Sequence, residues 1–433
     1  MNEKIISLCR YAILVASICF AAQSSQAATV VVGACRTGRS FTTIQAAVDA
    51  VPSGSTIDVC PGTYPEQVMI EAKTLTVVGI LSGTNDAAVL LPPAGGLIMN
   101  GTRIGGRAVA AQIFVQDSTG VTISHLTVDG NGNALSDCSR NLIGIYFKNS
   151  SGRIMDSVAR NQILDSSLQG CQVGLGIDVE SDLGNPAVTV SNNSVHNYQK
   201  NGITAGGPGT GAGPAMAVTN NTVIGIGATT AIAQNGIQIG FGASGKVSGN
   251  TVAGDIYTGP AAAAGTGILI FASTGITVSG NSVQSTQFGI ATVTDSVDGT
   301  ADNTFISSNH IGGTQEFDAI DLCSNGNTAQ SNSIYGSQAE SGIHLDDQCP
   351  GHGSTTSGLN NSAANNTINE PCAGILLGSS APNTIGPNTF FNVTHTTLAG
   401  NSCPAAAPVA ASKLAASSEI HSSTRRPSPL TGQ

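Results

Sequence analysis

The sequence predicts an all-β fold, a single-stranded right-handed parallel β-helix in which about eleven coils of chain stack as a solenoid. Two observations carry this prediction. The 433-residue chain has 54 glycines, no tryptophan and only 10% charged residues, so it is rich in turn formers and poor in charged helix faces. A short motif also recurs along most of the chain, and such repetition is the signature of stacked structural units.

The repeat has two elements. The first is Asn, a small or polar residue, and then a β-branched or aromatic residue; it occurs at 22- to 34-residue spacing from Asn161, Asn193, Asn221, Asn250, Asn281, Asn309, Asn332, Asn366 and Asn388. The second is Gly-Ile-x-hydrophobic, with Ala in place of Gly once; it begins at residues 144, 176, 202, 236, 267, 289, 319, 342 and 374. Both alternate like short strands, and each strand should pair with its equivalent about 4.8 Å away in the next coil. The blades of a propeller need about 40 or more residues, so this spacing favours a solenoid.

The Asn of the first element is expected to take the left-handed conformation of a tight turn, and stacked Asn side chains to hydrogen-bond along the turns. Before the first coil, Phe41–Val51 places Ile44, Ala47 and Val48 on one helical face, with Thr42 or Thr43 able to cap it. A short N-terminal helix is therefore expected to cover the open end of the solenoid.

This N-terminal region carries a resemblance to a known superfamily. The stretch FTTIQAAVDAVPSGSTIDVCPGTYPEQVMI, followed by TLTVVG, resembles the first coil of pectin lyase-like proteins. The Gly-Ile-x-hydrophobic and Asn-x-hydrophobic elements resemble the parallel β-helix repeat of the same superfamily. The resemblance covers residues 41 to about 403 and implies the fold, because the shared residues are those that build coils. The right hand of the helix rests on it and on the usual hand of parallel crossovers.

The N-terminus predicts export. Lys4 and Arg10 precede an apolar segment at residues 11–22, and Ser25 and Ala27 are the small residues of a cleavage site, so residues 1–27 read as a signal peptide. About twelve apolar residues are too few to span a bilayer. We therefore expect a secreted or periplasmic protein without a membrane span.

The domain boundaries follow from composition. Residues 404–433 consist mainly of Ala, Ser and Pro without hydrophobic periodicity, which predicts a disordered tail. No linker interrupts the chain before it, so one β-helix domain is expected over residues 29–403.

Cysteine spacing supports export and stacked coils. Without Cys9 and Cys19 of the signal peptide, eight cysteines remain, and neighbours in sequence lie 25 to 33 residues apart, about one coil. We expect four disulfides with the pairing Cys35/Cys60, Cys138/Cys171, Cys323/Cys349 and Cys372/Cys403. A metal site would need clustered cysteines such as C-x-x-C, which the sequence lacks.

The x positions of the second element predict a candidate site. Alternation places them in one outward column, which contains in order Tyr146, Asp178, Thr204, Gln238, Leu269, Ala291, Asp321, His344 and Leu376. Asp321 and His344 should therefore be neighbours on an exposed face, about 5 Å apart.

Further carboxylates lie close to this pair in sequence. With Asp318 nearby, we predict Asp321, His344 and Asp346 as catalytic residues for acid–base cleavage of a glycosidic bond, and Asp347 and His352 as substrate-binding residues. The alternative is that these groups are solvated or hold a cation such as Ca²⁺, the one cofactor that the sequence suggests.

Two comparisons within the superfamily limit this prediction. Polygalacturonases carry N-T-D, D-D, G-H-G and R-I-K elements, whereas this chain has only Asp346-Asp347 and Gly351-His352-Gly353, on one loop. The resemblance therefore assigns these residues no role. Elimination of the pectate lyase type needs an Arg or Lys base, and between Arg160 and Lys413 the sequence has only Lys200 and Lys246.

A second candidate site lies earlier, where the basic residues gather. Arg140, Tyr146, Lys148 and Asp178 are predicted to bind an anionic sugar, Arg140 through its guanidinium and Tyr146 through an exposed ring. The alternative, that these are salt-bridged loop residues, is favoured.

The sequence leaves two functions open. The first is a protein that binds an extracellular polysaccharide and acts on it as a hydrolase or lyase; the second is a non-catalytic surface or periplasmic scaffold or adhesin. A net charge of −10 argues against nucleic acid and anionic membranes as partners. We expect a monomer with a polysaccharide ligand.

Overall fold

The computed structural model describes residues 26–83, 87–209, 213–260, 263–313, 317–335, 340–348, 358–369, 372–378 and 382–403. The predicted signal peptide up to residue 25, the predicted tail, His352 and Cys349 lie outside these residues. The described chain winds through three parallel sheets in turn, and each sheet pairs a strand with its equivalent one coil later. The fold is a parallel β-helix, as predicted.

The three sheets divide the strands among them. Sheet 1 contains Ser40–Phe41, Thr29–Val32, Ser55–Val59, Leu75–Gly79, Val121–Ser124, Gly152–Met155, Ala187–Ser191, Ala215–Thr219, Ser244–Ser248, Thr277–Ser279, Phe305–Ser307, Thr328–Gln330, Ser362–Ala364 and Thr384–Ile385. Sheet 2 contains Gly62–Pro65, Ala88–Leu91, Thr127–Asp129, Val158–Gln162, Ser194–Tyr198, Thr222–Thr229, Thr251–Tyr257, Ser282–Gln284, His310–Gly312, Ser333–Tyr335, Thr367–Asn369 and Thr389–Phe391. Sheet 3 contains Val68–Glu71, Ala108–Gln116, Arg140–Lys148, Leu175–Glu180, Asn201–Gly206, Asn235–Gly240, Thr266–Phe271, Phe288–Val293, Ile320–Cys323, Ser341–Leu345, Ala373–Leu377 and His395–Ala399. One short strand of sheet 3, Gly101–Thr102, is antiparallel to Ala108–Gln116.

Helices are short in the described chain. The helix Ile44–Ala50 buries Ile44, Ala47 and Val48, and Thr43 caps it by accepting a hydrogen bond from Ala46 N at 3.2 Å. A single 3₁₀ turn covers Ser166–Leu168. Within the residues that the structure describes, no helix has the length and apolar character needed to cross a membrane.

The core is built from equivalent residues of successive coils. In sheet 3 the isoleucine of each Gly-Ile element pairs with the next, and these isoleucines are at most 1% exposed at Ile145, Ile177, Ile203, Ile237, Ile268, Ile290, Ile320, Ile343 and Ile375. The preceding glycine is required by close approach: a Cβ at Gly202 would lie 2.4 Å from Val223 Cγ1 and 2.6 Å from Gly236 O. The Gly-Ile repeat therefore places strand after strand in one register.

A buried ladder of asparagines joins the coils between sheets 1 and 2. Each Oδ1 accepts hydrogen bonds from the backbone N–H and from Nδ2 of the Asn one coil earlier, with Nδ2–Oδ1 distances of 2.9–3.0 Å. The ladder contains Asn193, Asn221, Asn250, Asn281, Asn309, Asn332, Asn366 and Asn388. The predicted stacking of Asn side chains is confirmed for these positions.

Two details of the Asn prediction are wrong. The left-handed residue is the one before the ladder Asn, with φ between +56° and +68° at Asn192, Asn220, Gly249, Gly280, Ser308, Ser331 and Asn365. The ladder Asn is held instead by its own backbone N–H bond to the next coil. Asn161 does have the predicted left-handed conformation, with φ +61°, but it does not belong to the ladder, because Ser157 occupies that position and donates its backbone N–H to Asn193 Oδ1 at 3.1 Å.

Disulfides link neighbouring coils. Cys35–Cys60, Cys138–Cys171 and Cys372–Cys403 are bonded, with Cα–Cα distances of 5.6, 5.4 and 6.2 Å. Cys323 is also disulfide-bonded. The three described pairs confirm the predicted connectivity, and the predicted partner of Cys323 lies outside the described residues.

Candidate functional site

The outward column of sheet 3 has the predicted register but not the predicted exposure. Strand pairing places its members next to one another in the predicted order from Tyr146 to Leu376. Its residues are nevertheless at most 6% exposed. Apolar side chains outside the coil pack over part of it; Leu269 and Ala291, for example, share a buried cluster with Phe288 and Phe317. The expectation of an exposed column is therefore wrong.

His344 lies at the centre of a buried cluster of carboxylates. Its Nδ1 is 3.3 Å from Asp318 Oδ2, 3.7 Å from Asp346 Oδ2 and 4.0 Å from Asp321 Oδ1. Asp318 and His344 are fully buried, and Asp321 and Asp346 retain side-chain exposures of 9% each. We call these four residues the His344 cluster. Asp318, which lies three residues before Asp321, is the carboxylate nearest to the imidazole.

Neighbouring polar groups hold this cluster in place. Ser341 Oγ donates to Asp318 Oδ1 at 2.6 Å, and the backbone N–H of Gln348 donates to Asp346 Oδ1 at 2.7 Å. The strands Ile320–Cys323 and Ser341–Leu345 bring Asp321 and His344 side by side. The pair are therefore neighbours as predicted, but their 4.0 Å separation exceeds a hydrogen bond.

The far side of the imidazole faces an amide that sequence reasoning missed. Asn401 Nδ2 donates to Asp347 Oδ1 at 3.0 Å, so Asn401 Oδ1 is the atom that lies 3.1 Å from His344 Nε2. Because an amide oxygen only accepts, Nε2 carries the proton of this bond. His344 Nδ1 is then the nitrogen directed at the carboxylates. Asp347 contributes to the site through Asn401 rather than through the imidazole itself.

The second candidate site is a buried ion-pair network rather than an open surface. Arg103 Nη2 lies 3.1 Å from Asp178 Oδ2, and its Nε donates to Glu180 Oε1 at 2.7 Å. Arg103 follows the short antiparallel strand Gly101–Thr102, which carries it over sheet 3. Tyr146 donates its hydroxyl to Glu180 Oε2 at 2.6 Å.

The predicted sugar-binding residues of this site do not converge. Tyr146 is fully buried and stacks on Phe114 with ring centroids 5.0 Å apart, so it offers no exposed ring to a sugar, contrary to the prediction. Arg140 lies 3.6 Å from Asp137, and Lys148 donates to Thr102 O at 2.8 Å. The two cations lie eight positions apart on one strand, roughly 26 Å along it. These contacts fit the salt-bridged alternative.

Burial shifts the ionisation of this network. Burial raises the pKa of Asp178 to about 7; the charge of Arg103 acts in the opposite direction, and Glu180 adds to the rise. Burial, and then the charge of Glu180, also raise the pKa of Tyr146 well above its usual value, so Tyr146 remains a donor.

The raised pKa of Asp178 predicts a pH-dependent stability. An unfolded Asp has a pKa of about 3.9, so between about pH 4 and pH 7 the folded state keeps a proton that the unfolded state has lost. This contribution to stability is complete below about pH 4 and is lost as the pH rises towards 7. The advantage of Asp178→Asn over wild type in unfolding free energy should therefore grow with pH in this window, by at most about 1.4 kcal/mol per unit. Urea unfolding across the window tests this, and a pH-independent difference contradicts it.

A third polar pair lies inside the coil and was not predicted. Tyr198 donates its hydroxyl to Asp255 Oδ1 at 2.6 Å, and both residues are fully buried. Burial raises the pKa of Asp255 well above its usual value, although the bond from Tyr198 lowers it. The only sequence signal is an acidic residue at an inward position of the strand Thr251–Tyr257. The pair lies inside the coil, where Tyr198 is part of the hydrophobic core.

Structural comparison gives the fold a precedent. The chain is similar to a GH136 lacto-N-biosidase from Eubacterium ramulus, with a TM-score of 0.59, 10% identity, and coverage of 85% of this chain and 68% of that one. It is also similar to a PL6 alginate lyase in complex with a trisaccharide, with a TM-score of 0.55, 14% identity, and coverage of 85% and 86%. A third similar structure is the alginate lyase AlyF-OU02 in complex with G6, with a TM-score of 0.54, 14% identity, and coverage of 82% of this chain and 83% of that one.

The similarity to these structures also gives the handedness of the solenoid. This chain is a right-handed parallel β-helix. At these identities the similarity describes the fold alone. No known protein family matches the sequence, and no curated protein does.

Proposed function

We propose that this right-handed β-helix is exported from the cell and acts on an extracellular polysaccharide at the His344 cluster. The observation that carries the proposal is the imidazole of His344, set 3.3–4.0 Å from three carboxylates on the outer side of sheet 3. Paired carboxylates are the groups that cleave glycosidic bonds in most glycoside hydrolases. Asp321 and Asp346 keep some exposure and are the two that would meet a substrate.

The comparisons support a carbohydrate ligand. The similar β-helices are a GH136 lacto-N-biosidase and two alginate lyases, one in complex with a trisaccharide and one with G6. Export is supported by the disulfides between coils, since such bonds persist in oxidising compartments. The polymer itself is proposed only by class, as a neutral or uronic-acid polysaccharide.

Hydrolysis is favoured over elimination. The sequence has no Lys or Arg between Lys246 and Lys413, so the segment that supplies the His344 cluster lacks the Arg or Lys base of pectate-lyase-type elimination. In hydrolysis one carboxylic acid protonates the leaving oxygen, while the other carboxylate activates water or attacks the sugar. Asp321 and Asp346 would supply these two roles, with His344 fixing their positions.

The burial of the cluster favours a second candidate function. Most of the outward column of sheet 3 is covered, and the four cluster residues are at most 7% exposed. A polymer-cleaving site needs room for a sugar ring between its carboxylates. The second candidate is therefore a non-catalytic scaffold or adhesin, in which the cluster stabilises neighbouring coils.

Incubation with a panel of neutral and uronic-acid polysaccharides separates the two candidates. Hydrolysis should release reducing ends without the ultraviolet absorbance of an unsaturated product. Asp321→Asn should lower the rate at least about 100-fold, the usual scale for loss of acid–base catalysis, and His344→Gln should lower it because the two carboxylates lose the group that positions them. Asp165→Asn, which removes an exposed carboxylate elsewhere, is the matched control and should be as active as wild type. Absence of product with every polymer, or equal rates in all variants, would overturn the proposal and favour the scaffold.

A further inference from the structure

The His344 cluster collects more negative than positive charge. Asp318, Asp321, Asp346 and His344 are 0%, 6%, 7% and 0% exposed. Three carboxylates and one imidazolium would carry a charge of −2, and a neutral imidazole would leave −3. Burying ionised groups costs several kcal/mol each unless other charges compensate for them. The composition of the cluster therefore favours a cation at its centre.

Three donor atoms of the cluster lie close enough together to be ligands of one ion. Asp318 Oδ2 lies within hydrogen-bond distance of His344 Nδ1, at 3.3 Å, but a charge-assisted hydrogen bond would be shorter, at about 2.7–2.9 Å. The observed distances from Nδ1 are 3.3, 3.7 and 4.0 Å, to three different side chains. Bonds of about 2.1 Å to a tetrahedral ion separate its ligands by about 3.4 Å. The donor atoms of Asp318, Asp321 and His344 also all lie within 4.8 Å of one another.

The orientation of the imidazole also favours a bound metal ion. The bond of Nε2 to Asn401 Oδ1, fixed in turn by Asp347, places the proton of a neutral ring on Nε2. The lone pair of Nδ1 then faces three carboxylates. A metal-binding His commonly has this arrangement, with its second nitrogen donating to an oxygen that fixes the tautomer.

We propose that His344 Nδ1 and one carboxylate oxygen each of Asp318 and Asp321 bind one divalent transition-metal ion of the Zn²⁺ or Mn²⁺ class. One nitrogen with several carboxylate oxygens suits these ions, with bonds near 2.0–2.2 Å for Zn²⁺. Calcium prefers six to eight oxygen ligands at about 2.3–2.6 Å, which a site containing imidazole does not match. The ion would join two coils, because Asp321 and His344 lie on paired strands.

This inference rests on the geometry of three side chains rather than on the proposed polysaccharide activity, and with the ion bound Asp321 would be its ligand instead of an acid or base. Its test is made without a polymer. The purified exported protein is stripped with EDTA, dialysed and titrated separately with Zn²⁺, Mn²⁺ and Ca²⁺, while bound metal is counted by mass spectrometry and the melting temperature is recorded. We expect one Zn²⁺ or Mn²⁺ per chain and a rise in melting temperature that Ca²⁺ does not produce.

Variants distinguish this site from adventitious binding. Asp321→Asn and His344→Gln should weaken the binding of Zn²⁺ or Mn²⁺ at least ten-fold and abolish the rise in melting temperature. Asp165→Asn should bind as wild type does. Circular dichroism shows whether each variant is folded. If His344→Gln does not fold, Asp321→Asn, which keeps the side-chain shape, provides the test of the metal site. No stoichiometric uptake, uptake of Ca²⁺ alone, or equal affinity in Asp321→Asn and Asp165→Asn would overturn the metal site.

Discussion

Replacing Arg103 with methionine should lower the free energy of unfolding by about 3–5 kcal/mol, the usual cost of removing one member of a buried ion pair. Arg103 is only 14% exposed in its side chain and contacts both Asp178 and Glu180, which are buried beneath it. Methionine keeps much of the packing volume but leaves the two carboxylates without the guanidinium. Most of the expected loss of stability comes from burying the two carboxylates without a compensating charge, rather than from the lost contact itself.

The pH dependence of this variant gives a second readout. The deficit of Arg103→Met should shrink as the pH falls below about 7, where Asp178 becomes protonated, because a neutral carboxyl group no longer needs the cation. Arg153→Ala, which removes an exposed guanidinium from sheet 1, is the control and should change the free energy of unfolding by less than about 0.5 kcal/mol. Urea unfolding of both variants at neutral and acid pH makes the comparison. Equal stability of Arg103→Met and Arg153→Ala at neutral pH contradicts the account of this network.

Asn281→Ala should destabilise the fold by about 2–5 kcal/mol, because each buried polar group left without its partner costs about 1–3 kcal/mol. Asn281 is fully buried. Its Oδ1 accepts from the backbone N and Nδ2 of Asn250, and its Nδ2 donates to Val247 O and Asn309 Oδ1. Alanine removes all four bonds in the middle of the ladder.

A graded series tests whether hydrogen bonding is the cause. Asn281→Ser should cost less than Asn281→Ala, because the chain already uses Ser157 at this position of an earlier coil, where Ser157 Oγ accepts from Leu126 N at 3.3 Å. Asn131→Ala, at an exposed asparagine, should cost less than about 0.5 kcal/mol. The midpoints of chemical unfolding should follow this order. If Asn281→Ala and Asn131→Ala unfold at the same denaturant concentration, the ladder does not stabilise the coils as described.

The coil register could be predicted from sequence because it is encoded locally. The Gly-Ile pair occurs in nearly every coil, and both residues have a steric reason for their position: the glycine for close approach and the isoleucine for the core. The order of the outward column followed from it without further information. The short helix at the N-terminus and the coil-length spacing of cysteines are local patterns of the same kind.

The environment of the candidate sites could not be predicted in this way, because it depends on segments distant in sequence. Arg103 reaches Glu180 across 77 residues, and Asn401 meets His344 across 57. Neither contact belongs to the repeat, and no periodicity in the sequence predicts it. The apolar cover over Leu269 and Ala291 is likewise built from residues outside the Gly-Ile element. Alternation therefore identifies which side chains point outward, but it does not determine whether they reach solvent.

The central claim, that the His344 cluster acts on a polysaccharide, is tested most directly by proton NMR of the polymer during incubation with the protein. The account predicts new reducing-end anomeric resonances with wild type and with Asp165→Asn, and none with Asp321→Asn over the same time. The same spectra would show whether the configuration at the anomeric carbon is retained or inverted. Spectra that stay unchanged for every polysaccharide, or new resonances that appear equally with Asp321→Asn, would contradict it.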